Sequence, residues 1–287
     1  MTSNNIVPNM TPNTSTIDDP TLPADCTSNN LILRSLINAD YQDTHNEMLQ
    51  ITLDRIDKKR QGIITPDQLW VVEHNDVYTL GQAGKEEHIL QRGTTPIIHT
   101  DRGGQVTWHG TGQLVVYWLI DLQNTGWSVR DLVSHAEQSI EDVLNKALSS
   151  QPSGQEFYAK SRRDAPGVYI YNQDDVMLGK IASLGFKIKH GFSYHGIALN
   201  LNCDLAVFNS INPCGYAGMQ MLKLADFVDL DKVPSAASHP DNLSQQGLQI
   251  IEGSVSELGI THQLIKNIMQ RELGDIALRA LQSNNEK

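Results

Sequence analysis

The sequence is short of cysteine, of positive charge and of long apolar runs, and each shortage removes a class of protein. Three cysteines in 287 residues, Cys26, Cys203 and Cys214, make neither a disulfide framework nor a C-x-x-C zinc pair. An odd, sparse count suits a reducing compartment. Lys and Arg number 22 against 33 Asp and Glu, for a net charge of −11. No general basic face for nucleic acid or an anionic membrane is expected from that balance. The longest uninterrupted apolar run, Leu114 to Ile120, is far below the roughly 20 residues that cross a bilayer. Residues 1–30 contain no Lys or Arg and no apolar block, unlike a secretory signal or an Arg-rich transit peptide. The expectation is a cytoplasmic protein with no nucleic-acid or membrane partner.

What is present reads as a polar tail followed by one catalytic-sized domain. Residues 1–30 hold 22 Ser, Thr, Asn, Pro or Asp, too little apolar area to offset ordering entropy, so a disordered tail is expected. Cys26 lies in it. Residues 31–287 are read as a single domain, with strands at Leu31–Ile37 and Leu69–His74 around a helix at Thr44–Lys59 that Gly62 stops. A turn-rich Tyr78–Gly84, Pro96–Thr100 and a glycine-punctuated stretch lead to a strand over Leu114–Leu122. The strongest helix signal is Val129–Leu148, with Ser128 at its N-cap, Asp131 at the third position and apolar residues every three or four. A hairpin-rich middle follows: Gly167–Tyr171, Val176–Ile188 and Gly196–Leu205. Residues 229–254 read as a polar connector and 255–283 as a helical segment interrupted at Gly259 and Gly274. Interleaved helices and hairpins predict an α/β chain of α+β type, with a mixed β-sheet and flanking helices.

Chemistry points first to Cys214. In Gly196–Leu205, Cys203 shares parity with Ile197, Leu199, Leu201 and Leu205, which makes it a small buried hydrophobe. Cys214 sits instead in Asn212-Pro213-Cys214-Gly215, where Pro and Gly predict a tight turn that lifts the side chain clear of a ladder. A nucleophilic cysteine needs a neighbour that favours its thiolate. Lys180 is the only charged residue on the parity face of Val176, Leu178, Ala182, Leu184, Phe186 and Ile188. In that register it would be desolvated and able to give up a proton. The alternative is a bulge at Gly179 or Gly185 that flips the register and returns Lys180 to solvent. His109 and His195 offer a different partner for a cysteine. The stretch Arg102-Gly103-Gly104-Gln105-Val106-Thr107-Trp108-His109-Gly110-Thr111-Gly112 lets backbone approach a ligand closely, yet is neither a P-loop nor a dinucleotide fingerprint. From Lys160 to His190 a local excess of basic residues could dock an acidic partner.

In order along the chain, RGGQVTWHGTGQ, DAPGVYI, KIASLG, HGIALNLN and NPCGYAGM together resemble the octanoyl transferase family of lipoate biosynthesis, also called lipoate-protein ligase B. The resemblance runs from about Leu31 to Phe227 and implies the fold of biotin- and lipoate-protein ligase catalytic domains. It implies transfer of an octanoyl group from acyl carrier protein to a lysine of lipoyl domains, those of 2-oxoacid dehydrogenase complexes and the glycine cleavage H protein. By the same resemblance Cys214 carries the acyl thioester and Lys180 tunes that thiol and moves protons. The acyl-binding segments fall on Arg102, Gly103, Gly104, Gln105, Val106, Thr107, Trp108 and His109, on Ser183, Leu184 and Gly185, and on Gly196, Ile197 and Ala198. Trp108 stands where the family pattern has tyrosine, which would alter a pocket wall. No ATP, metal or other cofactor is implied, because the acyl group arrives on the donor's phosphopantetheine. The rivals are an ATP-dependent lipoate- or biotin-protein ligase on the same fold, which needs no thiol, and a non-catalytic acyl-binding module.

Overall fold

The computed structural model describes residues 31–215, 217–233, 248–252 and 259–285. The expected tail, residues 234–247 and 253–254 of the expected connector and residues 255–258 of the expected helical segment lie outside them. Strand β1 (Leu31–Ala39) leads into helix α1 (Tyr41–Arg60). The helix starts a turn earlier than its apolar spacing suggests, because the Asp40 side chain accepts the Asp43 N–H and caps it. Gly62 lies just past its end at φ +78°, donating to Lys59 O, a stop that favours glycine.

Among the described residues the main sheet has eight strands. Its first members in the chain are β1, β2 (Asp67–His74) and, after an excursion, β6 (Gln113–Leu119). The excursion makes a separate three-stranded sheet of β3 (Val77–Leu80), β4 (Ile97–His99) and β5 (Val106–His109) in the order β4-β3-β5. The expected turn at Tyr78–Gly84 is thus half strand, since all of Val77–Leu80 is buried between two partners. Strand β6 stops short of Leu122 because Asp121 caps a helical turn, α2 (Leu122–Thr125), by accepting from Gln123 and Asn124 N–H.

Helix α3 (Val129–Ser149) begins in the capping box that Ser128 and Asp131 announce: Ser128 Oγ accepts the Asp131 N–H, and the Asp131 carboxylate accepts the Ser128 N–H. The sheet then continues through β7 (Phe157–Ser161), β8 (Val168–Asn172), β9 (Met177–Lys189) and β10 (Phe192–Asn200). Strand β10 therefore begins before Gly196 and ends before Leu205. Asp204 caps a 3-10 turn over Leu205–Ser210, and Cys203 lies beyond the strand rather than in it. The last strand, β11 (Leu248–Glu252), falls inside the segment expected to be connector and pairs parallel to β1. Its apolar run is too short to stand out among the polar residues that precede it. Helix α4 (Gly259–Asn285) ends the described chain. Gly259 is its first residue and Gly274 lies within it, so neither glycine interrupts it. Burial of Ile260, Leu264, Ile265 and Ile268 outweighs the roughly 1 kcal/mol that a helical glycine costs.

The strand order is β11-β1-β2-β6-β10-β9-β8-β7, parallel across β11, β1 and β2 and antiparallel thereafter. The sheet is mixed, as the sequence predicts. Alternation along β6 and β10 sorts the core. Leu114, Val116, Trp118, Ile197 and Leu199 face α3 and α4, while Val115, Tyr117, Leu119 and Ala198 face Met48 of α1. Among the described residues no helix is long and apolar enough to cross a membrane.

Candidate active site

Lys180 owes its position to a bulge. Strand β8 pairs Val168 with Ala182 and Tyr169 with Lys180, so Ile181 is an extra residue on β9. Ile181 and Ala182 both turn into the α3 side of the sheet. Lys180 consequently faces the opposite side from Ala182 and Leu184, not the apolar face its spacing indicates. The register flip that sequence allows does occur, at Ile181 rather than Gly179 or Gly185, and it does not return Lys180 to water. Lys180 is 2% exposed. Its ammonium donates to Pro166 O at 2.9 Å and to Cys214 Sγ at 3.2 Å, and stands over the Tyr169 ring. Gly167 leaves the room for it, since a Cβ there would lie 2.4 Å from Lys180 Cε. The Gly167 N–H is held by Glu137 of α3 at 2.9 Å. Burial raises the Glu137 carboxyl above its usual range, and the Gly167 bond and the Lys180 charge offset only part of that rise.

Cys214 occupies the tight turn that Pro213 and Gly215 predict. It sits at φ +58°, a left-handed conformation uncommon outside glycine and held by its neighbours, and Gly215 N–H closes the turn onto Asn212 O. The thiol is half-buried. Cys203 is fully buried beside Trp108 and Phe208 in the core of the small sheet, and burial pushes its thiol up to about 11. Its assignment as packing stands, although the strand used to argue it ends at Asn200.

Between the two sheets lies a cavity of about 590 Å³ lined by both Lys180 and Cys214. Its floor is the α1-facing side of three adjacent strands. One row crosses Val115 of β6, Ala198 of β10 and Ser183 of β9, and the next crosses Tyr117, Gly196 and Gly185. Gly196 is compulsory there, because a Cβ would meet Val116 O at 2.0 Å. The roof is Arg102–Gln105, pinned to β9 by Gly103 N–H donating to Phe186 O at 3.0 Å. Arg102 is buried and donates to Thr79 O and Oγ1, Gly103 O and Gln105 O, so it braces the roof.

Every candidate residue of the sequence reading except Trp108 lines this cavity: Arg102–Thr107, His109, Ser183–Gly185, Gly196–Ala198, Lys180 and Cys214. Trp108 alternates away along β5 and meets Phe208 edge-on, so its ring does not line the cavity. Tyr41 of α1 and Val115 and Tyr117 of β6 also line it and went unread, and His195, offered in the sequence only as a partner for a cysteine, lines it from β10. Of the basic stretch, Lys180 is interior and Arg162 is paired with Asp164 at 2.5 Å, which thins the charge available to a partner.

The end of the cavity remote from Lys180 is ringed by aromatic and imidazole groups. His109 Nδ1 meets Gln113 Oε1 at 2.7 Å. His195 and His45 both meet Asp101 Oδ1, at 2.9 and 3.0 Å, and the Tyr194 hydroxyl donates to Asp101 Oδ2. Burial lowers His195 and His74 to about 4 and His109 well below 6.5. Burial also raises the Tyr117 hydroxyl well above 10. These groups are uncharged near neutral pH. His45, Asp101 and His195 lie close enough together to share a metal ion. In the hydrogen-bonded arrangement, Asp101 accepts from both Nε2 atoms, and those rings would have to change tautomer before either Nε2 could ligate.

Residues 48–239 match the lipoyl protein ligase A/B catalytic-domain family. Fold and match define an enzyme of the protein-acylating ligase and transferase class. The chain is 58% identical to an octanoyltransferase of Psychrobacter cryohalolentis over 88% of its length and 94% of that protein. It is 46% identical to an octanoyltransferase of Acinetobacter baylyi over 70% of its length and 86% of that protein. A solved bipartite lipoate protein ligase from Thermoplasma acidophilum is 12% identical with a TM-score of 0.46, covering 85% of this chain and 97% of that one. The chain belongs to the lipoyl protein ligase A/B family, on its octanoyltransferase branch.

Proposed function

We infer that this octanoyltransferase carries the acyl group on Cys214, with Lys180 as the proton carrier for both halves of the reaction. The observation that carries the reading is the 3.2 Å contact between Lys180 Nζ and Cys214 Sγ within the cavity. An ammonium at that distance favours the thiolate. The thiolate attacks the thioester carbonyl of octanoyl-acyl carrier protein, the donor C–S bond breaks, and Lys180 gives a proton to the departing sulfur. The neutral amine of a lipoyl-domain lysine then attacks the Cys214 thioester. Cys214 leaves as thiolate, the new amide nitrogen loses its proton to the now neutral Lys180, and the ion pair is restored.

Exchange between thioesters is close to isoenergetic and amide formation is downhill, so the cycle needs neither ATP nor a metal. Trp108, turned into the small-sheet core, is released from the substrate-contact role given to its segment. The remaining candidates of Arg102–His109, Ser183–Gly185 and Gly196–Ala198 form the acyl site. Single-turnover transfer to a lipoyl domain tests the reading. Cys214→Ala is expected to lose transfer altogether, and transfer at the parent rate by that variant would overturn it.

A further inference from the structure

The cavity floor has a fixed width, and width across strands is a measure of chain length. Val115 pairs with Ala198 and Ala198 with Ser183, while Tyr117 pairs with Gly196 and Gly196 with Gly185. Two strand spacings separate β9 from β6, about 10 Å. Over that span the floor carries only a methyl, a hydroxymethyl and two glycines. Lys180 stands on β9, with Cys214 beside it, and on β6 the first large side chains are Val115 and Tyr117. An extended eight-carbon acyl group is of the same order as that width, about 10 Å.

The far wall cannot swing aside. His74 Nδ1 lies 3.1 Å from Ala39 O, a pure acceptor, so Nδ1 carries the hydrogen and Nε2 the lone pair. The Tyr117 hydroxyl therefore donates to His74 Nε2, at 2.7 Å, and the ring is held at 4% exposure. Val115 is 1% exposed in the same cluster, against Trp70, Val72 and Met48. Although the surroundings are rich in histidine and tyrosine, burial keeps His74, His109, His195 and Tyr117 uncharged, an environment that accepts a methyl terminus.

We propose that Val115 and Tyr117 of β6 are the end stop that measures the acyl chain. Chain length is then set by the stretch of floor that lies between Cys214 and this pair. The proposal rests on the Cys214 thioester reading, so the test must separate the two.

Carrier-bound hexanoyl, octanoyl, decanoyl and dodecanoyl groups are offered together in equal amounts, and the adducts on intact enzyme are resolved by mass. The parent enzyme is expected to load octanoyl. Val115→Ala and Tyr117→Leu shorten the stop and should move the decanoyl-to-octanoyl ratio up by about 10-fold, the discrimination one or two methylenes can give. Ala198→Val fills the floor midway and should move the ratio toward hexanoyl, an opposite shift that loss of folding cannot imitate. Unchanged ratios in all three loaded variants would overturn the end stop and leave the thioester intact. Failure of the parent enzyme to load any acyl group on Cys214 would overturn the thioester reading, and the end stop with it.

Discussion

Lys180 Nζ lies 3.2 Å from Cys214 Sγ across 34 residues of sequence, and one extra residue in a strand, Ile181, is what turns the lysine toward the sulfur. Without that bulge Lys180 would enter the core beneath α3, where an unpaired ammonium costs several kcal/mol. With it, the charge finds a thiol, a carbonyl and an aromatic face.

Substitutions at Lys180 separate its charge from its proton. Lys180→Ala removes both and should slow each half-reaction by about 10²–10⁴-fold. Lys180→Arg keeps a cation beside the sulfur but gives up no proton near neutral pH, so it should retain more of the thiolate's alkylation rate than of the acyl transfer rate. Iodoacetamide kinetics and single-turnover transfer measure the two. Equal losses in both would show that Lys180 acts by charge alone.

Much of this was legible in the sequence, for local reasons. Ser128 and Asp131 announce a capping box, and Pro213 and Gly215 announce the turn that lifts Cys214. The side of the sheet that Lys180 faces was not legible, because period-two reading assumes an unbroken register and nothing in Lys180-Ile181-Ala182 marks the extra residue. Nor was the far end of the cavity. Tyr41 opens a helix, Tyr117 sits in an apolar run, and His195 follows another aromatic, so only strand pairing brings them together. Trp108 was read as pocket wall because the family resemblance carries the whole of Arg102–His109 over to the acyl site. Alternation along β5 sends it the other way.

The two described cysteines should differ sharply in reactivity. Burial holds the Cys203 thiol near 11, so it stays protonated at neutral pH, whereas Cys214 is reachable. Peptide mapping after brief alkylation should find Cys214 labelled and Cys203 spared. Cys203→Ala should keep full transfer activity and lose on the order of 1 kcal/mol of stability. A folded but inactive Cys203→Ala enzyme would contradict its role as packing.

Acid should destabilise the fold through its buried imidazoles. His74 and His195 are held near 4 rather than 6.5, chiefly because burial disfavours their charged forms. Between those values the unfolded chain binds protons that the folded chain does not. Stability is therefore full above about pH 6.5 and falls toward pH 4, by on the order of 3 kcal/mol per ring. Urea unfolding across that range measures the loss, and His74→Gln should flatten the slope. A slope unchanged by the substitution would remove His74 from the account.

Glu272 of α4 should have the opposite sign. It is 1% exposed beside Asp67, which already pairs with Arg55, so two carboxyls face one guanidinium. Burial, and then Asp67, hold Glu272 well above 4.5. Its contribution is complete below that value and is lost as pH rises toward the folded one. Glu272→Gln keeps a hydrogen donor without a proton to lose. It should raise Tm at neutral and alkaline pH relative to the parent, by an amount equivalent to about 1–3 kcal/mol. A lower Tm throughout would show that Glu272 is held ionised.

The most direct test of the central claim is the mass of the intact enzyme after incubation with octanoyl-acyl carrier protein in the absence of ATP. The expected result is one octanoyl group on the parent enzyme, none on Cys214→Ala, and loss of the adduct when a lipoyl domain is added. No adduct on the parent enzyme, with octanoylation of the lipoyl domain only when ATP and free octanoate are supplied, would contradict it.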